Sequence, residues 1–149
     1  FPVYDDDQIA LLIELISDIL DKFPSINPID VVGHSDIAIL RKSDPGPLFP
    51  WEQLYEAGIG AWYEPDTKAK YKQLFLNEAP SLHTVQNALN RLGYQVELSG
   101  SYDRSTQYAM RAMQLHFRPS DFSGVVDIDS MAIIWALLEK YRPKELIGL

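Results

Sequence analysis

The chain contains no cysteine, which excludes disulfides and thiolate metal sites together. It has only three histidines, His34, His83 and His116, so imidazole chemistry is confined to three positions. No apolar run approaches the roughly 20 residues needed to span a bilayer, and neither an initiator methionine nor a signal-peptide pattern opens the sequence. Any targeting or lipid signal is expected on an upstream segment. Cations are also scarce: 13 Lys and Arg stand against 21 Asp and Glu, for a net charge of −8. Phosphate recognition rests on cationic side chains, so nucleic acid is excluded as a partner. What remains is a packed composition, 46% hydrophobic and 11% aromatic, suited to one average domain or two small ones.

Along the chain, Asp5, Asp6 and Asp7 favour a helix start. Ile9, Leu12, Ile13, Ile16, Ile19, Leu20 and Phe23 then recur at helical spacing up to Pro24. That stripe reads as core packing against a sheet. Asp30-Val31-Val32-Gly33 reads as a strand end, Trp51 to Ala57 as a short helix closed by Gly58, and Ile59-Gly60-Ala61-Trp62 as the end of a first domain. Glu64 to Ala79 reads as a polar connection, helical around Lys68 to Lys72, with Pro80 at the next boundary.

A repeat follows. Ser99-Gly100-Ser101-Tyr102-Asp103-Arg104-Ser105-Thr106 aligns with Ser123-Gly124-Val125-Val126-Asp127-Ile128-Asp129-Ser130 at a displacement of 24 residues. In each copy glycine permits a turn, and the acidic and hydroxyl residues can cap the next helix. The pattern predicts three helices, about Ser81 to Leu92, Arg104 to Phe117 and Ile128 to Tyr141.

The chemistry concentrates between Gly33 and Trp51. His34, Lys42 and Asp44 fall within eleven residues, and Pro45, Pro47 and Pro50 then stiffen the chain. An imidazole nitrogen and a carboxylate oxygen are two legitimate Zn²⁺ ligands, and catalytic zinc sites use three protein ligands plus a water. The segment offers two of three. Asp36 reads as a turn or supporting residue, Arg41 as a cation neutralising carboxylates, and His116 as packed within the helical region. Trp51 and Trp62 read as cleft walls or interdomain packing.

The order His34-x-Asp36-Ile37-Ala38-x-x-Arg41-Lys42-x-Asp44-Pro45-Gly46, continued by Phe49-Pro50-Trp51 and Gly58-Ile59-Gly60-Ala61-Trp62, resembles the second half of the metal site of zinc N-acetylmuramoyl-L-alanine amidases. That family is shared with phage amidases and peptidoglycan recognition proteins, and the wording is nearest to its outer-membrane lipoprotein type. The resemblance implies that His34 and Asp44 bind zinc and that Lys42 stabilises the tetrahedral intermediate. The family's first zinc histidine and catalytic glutamate come from upstream strands that have no counterpart here. The chain is therefore expected to be the C-terminal portion of a longer amidase, whose upstream part is a partner, either cut away or carried as a separate chain. The motifs Val85-Gln86-x-Ala88-Leu89-x-x-Leu92-Gly93-Tyr94, Gly100-x-Tyr102-Asp103-x-x-Thr106 and Ala112-x-Gln114-x-x-Phe117 resemble the peptidoglycan-binding domain that accompanies wall hydrolases.

These readings set the expectations. The fold is α/β, the C-terminal part of a mixed-sheet amidase domain with flanking helices over residues 1–62. A linker follows at 63–80, then a small all-α three-helix peptidoglycan-binding domain at 81–149. The expected activity is zinc-dependent hydrolysis of the amide joining N-acetylmuramic acid to L-alanine in peptidoglycan or muropeptides, in the periplasm, with a lipid anchor on the upstream segment. A non-catalytic wall-binding fragment and a helical protein-interaction module are the competing classes.

Overall fold

The computed structural model describes residues 1–149. Its regular structure is entirely helical: seven α-helices and two short 3₁₀ turns, with no strand. The expected sheet portion of an α/β domain is therefore absent. The physical reason lies at Pro28–Asp30, where the chain forms a 3₁₀ turn with proline in its first position. The extended backbone after it, through Val31 to Gly33, pairs with no other segment. Extended backbone becomes a strand only when a neighbour completes its hydrogen bonds.

Helix α1 (Asp6–Lys22) begins where the acidic run predicts, with the Asp5 carboxylate accepting the Asp7 N–H at 2.9 Å. Its Ile9 is buried with Leu54 and Ile59 in a small cluster that also takes in Leu12, Ile13, Ile16 and Leu20. These residues of the stripe thus pack on helix and loop rather than on a sheet, while Ile19 and Phe23 are exposed. After the short α2 (His34–Ile37) and the proline-rich loop, α3 (Trp51–Glu56) ends at Gly58, whose φ of +88° suits the chain reversal.

Helix α4 (Pro65–Asn77) occupies the segment expected as a connection, and it is longer than the Lys68 to Lys72 stretch predicted. It lies along α7: Phe75 meets Trp135 edge-on, Tyr71 donates its O–H to Glu139 at 2.9 Å, and Lys72 pairs with Asp129 at 3.1 Å. Helices α5 (Leu82–Leu92), α6 (Arg104–Phe117) and α7 (Ile128–Tyr141) match the three predicted from the repeat. Their core is one cluster of 20 buried residues, and Trp51, Ala61 and Trp62 belong to it. One hydrophobic core thus joins the end of the proline loop to the three-helix region.

The repeat is a repeated hydrogen-bond plan. Asp103 and Asp127 cap α6 and α7 by accepting the N–H of Thr106 at 2.9 Å and of Ser130 at 2.8 Å. Gly100 and Gly124 each donate an N–H, at 2.8 Å, to a fully buried glutamine, Gln86 and Gln114 respectively. Each glutamine returns its NH₂ to the capping-turn hydroxyl, Gln86 to Thr106 at 2.8 Å and Gln114 to Ser130 at 2.9 Å. The second copy reproduces these bonds of the first.

Candidate functional site

The site is a loop folded back on itself. From Gly33 the chain enters α2, reverses after Ala38, and returns antiparallel through Ser43 to Pro45, where Ser35 N–H donates to the Asp44 carbonyl at 2.9 Å. The two arms pass so closely that a Cβ on Gly33 would stand 2.5 Å from Pro45 Cδ, which is why glycine sits there. Tyr4 O–H holds the Pro45 carbonyl from the α1 side at 2.8 Å.

This fold-back brings the two candidate ligands together. His34 Nδ1 lies 2.6 Å from Asp44 Oδ2, and both side chains are open to solvent, 64% and 57% exposed. The hydrogen bond from His34 holds the Asp44 carboxyl below its ordinary range, and the Lys42 ammonium adds to the effect. Lys42 is exposed on the same loop, two residues from Asp44. The donor set fits zinc in kind, one imidazole nitrogen and one carboxylate oxygen in mutual contact on an accessible face. It fits as two ligands only, since no group of three His, Cys, Asp or Glu side chains gathers anywhere in the chain.

Beneath the exposed pair lies a buried one. Asp36, 5% exposed, accepts three hydrogen bonds: from Gly33 N–H at 2.8 Å, from Tyr94 O–H at 2.6 Å and from His116 Nδ1 at 2.9 Å. Burial by itself would raise the Asp36 pKa. The charge and hydrogen bond of His116, with the bonds from Tyr94 and Gly33, outweigh burial and bring it below its ordinary value. Burial and the adjoining Asp36 carboxylate push the Tyr94 hydroxyl well above its usual range, so it stays a donor. The His116 ring is stacked between Trp51 and Phe117, centroids 3.8 and 3.9 Å away. A second tie comes from α6, where Arg111 Nη1 donates to Ser43 Oγ at 3.1 Å.

Asp36 is thus the supporting residue expected, and His116 is packed, but its partner lies outside the helical region that was expected to satisfy it. Tyr94 and Arg111 were not read as part of the site at all. The one available signal was Asp36 itself, an acid three residues after a helix-capping glycine; nothing local specifies donors 58 and 80 residues away. Trp51 and Trp62 belong to the core, and they line an open groove of about 580 Å³ with Phe49, Tyr63, Lys68 and Arg118.

Comparison with known proteins bears on this arrangement. The peptidoglycan binding domain family matches residues 78–134. N-acetylmuramoyl-L-alanine amidase AmiD of Escherichia coli (strain K12) is 42% identical over 147 residues, covering 95% of this chain and 51% of that protein. The chain is a homologue of AmiD-type amidases. The crystal structure of AmpDH3 from Pseudomonas aeruginosa superposes with a TM-score of 0.90 at 44% identity, covering 95% of this chain and 56% of that one. The E. coli AmiD complex with anhydro-N-acetylmuramic acid-L-Ala-D-gamma-Glu-L-Lys gives a TM-score of 0.84 at 40% identity, covering 95% and 55%. The chain spans about half the length of these relatives.

Proposed function

We propose that this chain carries part of the catalytic site of an N-acetylmuramoyl-L-alanine amidase, acting on peptidoglycan or anhydromuramyl peptides. The observation that carries the reading is the His34–Asp44 contact on an exposed loop, in a chain homologous to AmiD over 95% of its length. His34 Nδ1 and an Asp44 oxygen would hold zinc, and the third ligand would come from outside these 149 residues. The chemistry zinc supplies when bound is acidification of a water and polarisation of the scissile carbonyl. Lys42 Nζ would stabilise the negative charge that develops on the amide oxygen, a role suited to an exposed cation two residues from Asp44. The helical region from α5 to α7 binds the wall polymer and raises the local concentration of substrate.

The test is hydrolysis of an anhydromuramyl tripeptide by the full-length protein, followed by mass spectrometry of the released peptide. Zinc-dependent release that is lost in His34→Ala and Asp44→Ala supports the reading; release indifferent to both substitutions overturns it. A second reading, a wall-binding protein without catalysis, is favoured by the ligand count of two. It predicts capture by insoluble peptidoglycan with no peptide released.

A further inference from the structure

We infer that the helical region is built into the zinc site: Tyr94 and His116, acting through Asp36, and Arg111, acting through Ser43, are positioning residues for the His34–Asp44 pair. This inference rests on the proposed reading of His34 and Asp44 as metal ligands. It goes beyond it by making residues of the wall-binding module part of the catalytic apparatus.

The geometry has two independent ties. On the outgoing arm of the loop, Asp36 sits two residues after His34 and is gripped from α6 by His116 and from the turn after α5 by Tyr94. On the returning arm, Ser43 adjoins Asp44 and accepts a hydrogen bond from Arg111, also on α6. His116 and Arg111 lie on the same helix, so α6 spans the fold-back and sets the distance between its arms. Neither His116 nor Tyr94 reaches solvent: they are 2% and 5% exposed. Asp36 lies at similar depth, and its remaining donor, Gly33 N–H, belongs to the residue before His34. A rigid carboxylate therefore fixes the turn on which His34 stands. Groups hydrogen-bonded to a metal ligand characteristically change metal affinity by about 10- to 100-fold when removed; Asp36 touches neither ligand and acts through the turn that carries His34. A chain whose two exposed ligands had no such support would sample many separations, because exposed side chains rotate freely.

The test uses variants that keep the packing. Tyr94→Phe removes one hydroxyl. His116→Phe keeps a flat ring between Trp51 and Phe117 but removes the donor, whereas His116→Asn returns an N–H near the position of Nδ1. Two readouts are taken: zinc affinity of the full-length protein by chelator competition, and the ¹⁵N signal of His34 Nδ1 by NMR in the metal-free 149-residue chain. The expected result is a fall in affinity of about tenfold or more for Tyr94→Phe and His116→Phe. The His34 signal should change in both variants, with partial recovery of both readouts in His116→Asn. Lower melting temperatures with unchanged zinc affinity and an unchanged His34 signal would overturn the inference and leave the network as packing alone. If the unmodified full-length protein binds no zinc, the amidase reading fails, and the His34 signal by itself decides whether α6 positions the pair.

Discussion

Asp36 shows how one buried carboxylate can organise a loop. A carboxylate taken out of water costs several kcal/mol unless donors replace its hydration, and here three donors from three parts of the chain do so. The cost of losing any of them is what makes the loop's conformation single. Gly33 works by the opposite means, through absence of a side chain. In Gly33→Ala the new methyl would meet the rigid Pro45 ring and part the arms, at a cost of about 1–3 kcal/mol for overpacking. Thermal melting should show the loss, and zinc titration should show weaker binding; a melting curve and affinity equal to the parent would mean the arms yield freely. Lys42 belongs to a different class, exposed and outside the packing. Lys42→Ala should keep zinc content while turnover falls by about 10² to 10³, as expected for loss of a cation that stabilises the oxyanion. Metal analysis alongside steady-state rates on a muropeptide separates this from a solubilising role, for which turnover would hold.

At the scale of elements, helix ends are controlled by carboxylates whose state depends on pH. Hydrogen bonds from Ser99 and Thr106 hold Asp103 below the ordinary range, and the hydrogen bond from Lys70 does the same for Glu139. For Asp127 and Asp129 burial pulls upward. The Ser130 N–H and Arg118 outweigh it at Asp127, and the Lys72 bond with the Lys68 charge outweighs it at Asp129. A carboxyl whose folded pKa is depressed contributes stability above its unfolded value near 4, and that contribution disappears as pH falls. The melting temperature should therefore be nearly level from neutrality to about pH 5 and decline below about pH 4; a rise on acidification would contradict the assignment. Asp127→Ala removes both a cap and the Arg118 partner and should cost about 1 kcal/mol or somewhat more, read by denaturant unfolding. Much of this level was legible in the sequence. The caps at Asp5, Asp103 and Asp127 and the turns at Gly100 and Gly124 are local devices, so spacing alone predicts their helices. Gln86 and Gln114 are harder to read as partners, because they lie 14 and 10 residues before the glycines they serve, beyond the reach of a capping motif.

At the scale of the whole molecule, the core is continuous from Trp51 and Trp62 into α5, α6 and α7. α4, within the segment expected as a linker, lies along α7. Sequence reading failed here for a physical reason. Long-range packing depends on which apolar faces meet, and neither the stripe on α1 nor the pair Val31-Val32 states whether its partner is a sheet or a helix. The contact between His34 and Asp44 is local, made across one fold-back, whereas the contacts of Asp36 and Ser43 with Tyr94, His116 and Arg111 depend on the placement of α6 against α2. The proposed function requires this fold-back to present His34 and Asp44 to a single zinc ion. The most direct measurement is anomalous diffraction at the zinc edge from crystals of the full-length protein. The account predicts one peak at about 2.0–2.2 Å from a His34 ring nitrogen and from an Asp44 carboxylate oxygen; zinc bound away from both residues would contradict it.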